Sequence, residues 1–112
     1  MLTNHHLASN EIAALAEIKA RVAARFAILE FILFGSKARG DFYPESDIDL
    51  LLITQQQLSR DDKHEISHIV TDVNSHHDTL FSFIAIHNDE WNNETYRLFP
   101  LYQSVEKEGV FV

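Results

Sequence analysis

Two carboxylates one residue apart, Asp47 and Asp49, follow a Gly35-Ser36 pair across ten intervening residues. In a strand, residues i and i+2 project to the same side, so the two acids converge while Ile48 turns to the core. Converging carboxylates repel each other unless a cation sits between them. Mg2+ prefers carboxylate oxygen and completes its shell with water and substrate phosphate. Two such ions can clamp the attacking and leaving oxygens of an in-line phosphoryl displacement. Gly35 has no Cβ and lets the backbone approach a ligand closely. Ser36 adds a hydroxyl and, at a strand-to-helix turn, amide donors suited to phosphate oxygens. Lys37 and Arg39 can balance further phosphate charge. The set suits a grip on a nucleoside triphosphate through metal ions. Chance produces this arrangement in such a chain with a frequency on the order of 10⁻³, which disfavours an ordinary turn followed by a capped strand.

Hydrophobic spacing supplies the elements that must hold these residues. Ile12, Leu15, Ala16, Lys19, Val22, Ala23 and Phe26 recur every three or four positions. That predicts an amphipathic helix from about Asn10 to Arg25, capped by Ser9 or Asn10. Ala27–Phe34 reads as a buried strand ended by Gly35. Ser36–Phe42 reads as a short turn or helical segment, and 43–46 as a loop. Asp47–Ile53 is rich in Leu and Ile, as a central strand should be. Ser59 opens a helix to about Asn74, with Asp61 and Asp62 in its first turn, where the helix dipole favours acids. Thr79–Ile86 reads as a third strand. Asn88 is placed to cap a helix bearing Trp91, Tyr96 and Leu98. Pro100 opens a last helix stopped by Gly109. The expected fold is α/β (α+β): a small mixed sheet of three or more strands with helices packed on it, in one domain over residues 1–112.

Composition narrows the function classes. A chain of 112 residues with 46% hydrophobic and 23% charged residues supports one modest core. There is no cysteine, which excludes disulfide and thiolate chemistry and fits a reducing compartment. Apolar runs are strand-length, far below the roughly 20 residues of a membrane span. No secretory signal pattern opens the chain, so the cytoplasm is the expected location and no membrane partner is expected. A net charge of −8 with scattered Lys and Arg argues against direct nucleic-acid binding. A small anionic ligand neutralised by metal remains compatible.

The segment Gly35–Leu50 resembles the signature of the nucleotidyltransferase superfamily related to DNA polymerase β. Its Ala-Arg-Gly and Ser-Asp-Ile-Asp-Leu wording, with Trp91, Pro100-Leu-Tyr and Glu106-Lys-Glu-Gly109, is similar to the minimal nucleotidyltransferase (MNT) family. The resemblance implies that Gly35 and Ser36 hold triphosphate and that Asp47 and Asp49 bind Mg2+. It also implies a third acid on the next long strand, serving metal binding or as general base. That position aligns near Leu80, which is apolar, and Asp78, two residues earlier with the same parity, is the nearest candidate. Proteins of this family pair with a small helical HEPN ribonuclease in toxin–antitoxin modules. The implied activity is that of the antitoxin, which moves AMP from ATP onto a tyrosine hydroxyl of the HEPN toxin. A domain this small leaves little chain for an acceptor, which fits an acceptor held by a partner. The alternatives are a nucleotide-binding module that neutralises or anchors its partner by contact, and adenylylation of a small molecule.

A second pattern competes. His64-Glu65-Ile66-Ser67-His68 matches His-Glu-x-x-His, which on a helix sets two histidines on one face to bind zinc. With seven histidines in the chain its chance frequency is on the order of 10⁻², and it lacks an obvious third ligand. A solvated helix face is the expected reading. His5-His6 and His76-His77 read as surface or loop histidines, Trp91, Phe99 and Tyr102 as core or partner-contact aromatics, and Val110–Val112 as a tail packed on the sheet.

Overall fold

Six of the seven residues of β2 (Ile48–Thr54) are buried, and Asp49 alone is not. That pattern belongs to a strand covered on both faces. In the computed structural model, which describes residues 7–35 and 47–112, β2 lies inside a four-stranded mixed sheet. β1 (Ile28–Phe34) runs antiparallel to it, and β3 (Phe81–His87) runs parallel on its other side. β4 (Val110–Phe111) pairs antiparallel with β1, giving the order β3-β2-β1-β4. The C-terminal tail is thus a sheet strand and not a segment laid over the sheet, because Val110 and Phe111 register against Leu33 and Ile32.

Two helical layers cover the sheet. On one face, α1 (Ser9–Ala23) and α2 (Arg60–His77) bury Ala14, Leu15, Ile18, Val22, Ile66 and Val73 against Leu33, Ile48, Leu50 and Leu52. On the other, α3 (Asn88–Trp91), a 3₁₀ turn (Glu94–Leu98) and α4 (Pro100–Glu108) bring Trp91, Tyr96 and Val105 onto Ile32, Leu51 and Ile53. Tyr102 packs on Trp91 with ring centroids 4.7 Å apart, whereas Phe99 is half exposed. The single helix expected after Asn88 is broken in two, because Asn93 accepts from the Thr95 N–H and caps the 3₁₀ turn.

Local chemistry explains the element ends. Ser59 accepts from the Asp62 N–H while Asp62 accepts from the Ser59 N–H, each at 3.0 Å, a reciprocal cap. The α1 cap is Ala8, not Ser9 or Asn10: the Ala8 N–H donates to Glu11 at 2.8 Å. Asn10 is otherwise engaged, donating to the His77 and Asp78 carbonyls at the end of α2. α2 runs to His77, one turn beyond the expected end, and stops at Asp78 in the left-handed region (φ 57°, ψ 51°). Asn74 then sets the start of β3: its amide oxygen accepts from the Thr79 hydroxyl and the Phe81 N–H, and its amide nitrogen donates to the Phe81 carbonyl. These bonds use Thr79 to close the helix, so β3 begins at Phe81 and not at Thr79.

Ion pairs tie α1 to α2. Arg21 bridges Glu17 (3.0 Å) and Asp72 (2.8 Å), Arg25 meets Glu65 (3.0 Å), and His77 meets Glu17 (2.9 Å). The His77 and Arg21 hydrogen bonds hold the Glu17 carboxyl below its usual range, and Arg21 does the same for Asp72. All are exposed or half-buried surface pairs of small individual weight.

Candidate active site

Antiparallel pairing sets Phe34 opposite Asp49, so Gly35 follows at the point where β1 leaves the sheet beside the Asp49 carboxylate. Gly35 adopts φ +83°, a conformation glycine takes at no steric cost. A Cβ at Gly35 would collide with Asp49 Oδ2 and stand 3.3 Å from Asp49 Cγ. Glycine is therefore required twice at this position, by its dihedral and by its neighbour.

Parallel pairing on the other side sets Ser82 opposite Asp49. The Ser82 hydroxyl donates to Asp49 Oδ1 at 3.0 Å. Asp49 is thus held between two strands, one oxygen toward Ser82 and the other toward the Gly35 turn. Asp47 is exposed and lies one residue ahead of β2, anchored next door by the Ile48 N–H to Leu80 carbonyl bond of 2.8 Å. Strand alternation assigns Asp47 to the Asp49 side of the chain.

Among the described residues, the same alternation leaves this end of the sheet without a helical cover. Asp49 shares its face with Leu51 and Ile53, which lie under Trp91, Tyr96 and Val105. Those helices cover the far half of that face. Toward the acidic end, Leu80 (48% exposed) and Ile84 (40% exposed) remain open to solvent beside half-buried Ser82. Carboxylates on the half of the face that no described helix covers make a place for a polar ligand.

Asp78 lies at the end of a helix and not on the strand. It is exposed, outside β3 and four residues before Ser82, and its backbone closes α2. No hydrogen bond among the described residues joins its side chain to Asp47 or Asp49. Ser36, Lys37 and Arg39 lie outside the described residues. Ser82 is the contact that inspection of the chain misses: a serine inside Phe-Ser-Phe-Ile-Ala-Ile carries no motif, and only the β2–β3 register reveals it.

The donor set here is oxygen only, and the carboxylate fills the space a side chain at Gly35 would take. Hard oxygen donors at a close backbone approach fit Mg2+ together with phosphate. The His-Glu-x-x-His segment does not build a comparable site. His64 and His68 are exposed with ring centroids 6.2 Å apart, but Glu65 turns to Arg25. Among the described residues no three His, Cys, Asp or Glu side chains cluster as a protein-only metal site needs. Among the same residues no helix is long and apolar enough to cross a membrane.

Comparison with known proteins bears on the family and the fold. Residues 15–110 match the family model of a nucleotidyltransferase domain. A curated relative from Methanocaldococcus jannaschii, "Putative protein adenylyltransferase MJ0141", is 39% identical over 51 residues. The match takes in 46% of this chain and 52% of the relative, so it spans about half the relative's length. Among solved structures, a "putative nucleotidyltransferase" from Sulfolobus solfataricus superposes with TM-score 0.56 at 24% identity, over 89% of this chain and 77% of that one. A crystal structure of a toxin-antitoxin with AMP-PNP superposes with TM-score 0.60 at 17% identity, over 93% and 72%. At these identities the structural likeness is one of fold.

Proposed function

Because this chain belongs to the nucleotidyltransferase domain family, we propose that it transfers AMP from Mg-ATP to a hydroxyl on a partner protein. The partner in this reading is a HEPN-type ribonuclease toxin and the acceptor a tyrosine, so the chain acts as an antitoxin. The observation that carries the proposal is the Asp49 carboxylate set against the Gly35 turn on the uncovered half of the sheet. The curated relative's description as a protein adenylyltransferase supports a protein acceptor, and the toxin-antitoxin neighbour supports a toxin as that protein. The HEPN identity rests on the resemblance carried by Gly35–Leu50 and the C-terminal segment.

In the reaction the acceptor oxygen forms a bond to the α-phosphorus, the α–β bridging bond breaks, pyrophosphate leaves, and the hydroxyl proton passes to a base. Bound Mg2+ neutralises charge on the phosphates. Asp47 and Asp49 hold the metal. Gly35 admits the triphosphate close to the backbone, and Ser36, Lys37 and Arg39 steady its oxygens. Asp78 is assigned as the proton acceptor and third metal-side acid. The test is to incubate the chain with ATP, Mg2+ and the product of the neighbouring gene and weigh both proteins. Addition of AMP to the neighbour supports transfer. Tight association without an adduct sinks it.

A second reading has its own support. Leu80, just ahead of β3, and Ser82 within it pair beside the acidic residues and are both uncharged, so the strand itself contributes no third carboxylate. The chain then binds nucleotide and neutralises its partner by contact. An Asp47→Ala/Asp49→Ala double variant separates the two: protection of cells at the wild-type level favours contact, and loss of protection favours transfer.

A further inference from the structure

Ser82 stands on an edge strand without a single charged residue from Phe81 to Ile86, and its neighbours on the open face are apolar. Ser82 is half-buried, not sealed from solvent. Its hydroxyl donates to Asp49 Oδ1 across the parallel pair. The terminal torsion of an aspartate is broad, so a free carboxylate at this position would sample many orientations. One directional bond removes that freedom. With Oδ1 tied to Ser82, Oδ2 is aimed at the turn where β1 ends at Gly35. A carboxylate has lone pairs for several partners, so this one bond leaves the group capacity to ligate further.

Resting on the nucleotidyltransferase reading above, we propose that Ser82 is a positioning residue. It holds the Asp49 carboxylate in the one orientation that meets a metal–triphosphate at the Gly35 turn. It does not touch the reacting atoms. It acts by fixing a ligand, as outer-shell partners do in metal sites, where their loss costs about 10–100-fold in affinity or activity. The strand register makes the assignment specific: Leu80 and Ile84, the neighbours of Ser82 on this face, carry no donor.

The test compares Ser82→Ala, Ser82→Thr and Asp49→Asn with the unaltered chain. Mn2+ with a non-hydrolysable ATP analogue is the probe, and free Mn2+ is followed by electron paramagnetic resonance. Thermal unfolding of each variant is recorded alongside. Ser82→Ala is expected to weaken the Mn2+–nucleotide complex by about tenfold or more. Ser82→Thr, which keeps the hydroxyl, is expected to bind as the unaltered chain does. If Ser82→Ala binds normally while Asp49→Asn does not, the positioning role is wrong and the metal site stands. Equal loss in the Ala and Thr variants also overturns it, because packing and not the hydroxyl is then responsible. Normal binding by Asp49→Asn overturns the underlying site reading itself.

Discussion

The carboxylate of Asp49 occupies the space in which a side chain on Gly35 would begin. These residues come from different strands, brought together by the antiparallel pairing that sets Phe34 opposite Asp49. Gly35→Ala should therefore do two separable things. The left-handed dihedral strains the fold by about 1–2 kcal/mol, seen in a chemical denaturation midpoint. The new methyl group displaces Asp49, so nucleotide–metal binding falls by more than the loss of stability explains. Unchanged binding in a folded Gly35→Ala variant would refute the shared-space argument.

Removing both acids tests the transfer chemistry directly. Changes in the shell outside a metal already cost about 10–100-fold, so loss of the two carboxylates should bring AMP transfer to background. Thermal unfolding of the Asp47→Ala/Asp49→Ala variant should stay near that of the unaltered chain, because Asp47 is exposed and removing Asp49 relieves charge repulsion. Transfer measured with labelled ATP decides this.

The cap that Asp78 forms and the base role proposed for it can be split by substitution. Its φ of 57° suits glycine better than any residue with a Cβ, so Asp78→Gly should raise stability by about 0.5–1 kcal/mol. Asp78→Asn keeps the left-handed cap and removes the carboxylate proposed as base. If Asp78 takes the acceptor's proton, that variant should lose about 10²-fold or more in transfer rate with its fold intact. A transfer rate equal to wild type would confine Asp78 to capping.

Asn74 holds the start of β3 with three hydrogen bonds, two to the Phe81 backbone and one from the Thr79 hydroxyl. Asn74→Ala leaves buried groups at Thr79 and Phe81 without partners, at a cost of about 2 kcal/mol or more in urea unfolding. The frayed strand start lies one residue from Ser82. Amide exchange at Phe81 and Ser82 should accelerate more than exchange in α1.

Acid should loosen the joint between α1 and α2. Glu17 and Asp72 have folded-state pKa values lowered by their partners from ordinary values of 4.5 and 3.8. Their contribution is fully present above those values and is lost as pH falls through the lowered ones. A series of urea midpoints from pH 6 to pH 2 should show a decline setting in below about pH 4.5. In Arg21→Met that limb should flatten, since Arg21 is the partner shared by both acids. High salt should flatten it too.

Much of the architecture is readable one segment at a time. The spacing of Leu15, Val22 and their neighbours, the opening of a helix at Ser59 with acids in its first turn, and the apolar run from Leu50 to Ile53 each declare an element through residues a few positions apart. Ends were harder. The Asn10–Arg25 helix and the Thr79–Ile86 strand both shift by one or two residues, because Asn10 and Thr79 spend their polar groups on α2, far from them in the first case and just before them in the second.

What the chain determines alone is the chemistry available: paired acids of one parity, a glycine where a strand must turn, and no thiol. Such features depend on residue type and on the two-residue repeat of a strand, both local. The partner of Asp49, the fourth strand at Val110–Phe111 and the bare half of the sheet were decided only when strands paired. Pairing joins residues that lie 33 positions apart, as Asp49 and Ser82 do. Such registers are set by which apolar faces pack together and by the connections between strands, and neither is visible in a few neighbouring residues.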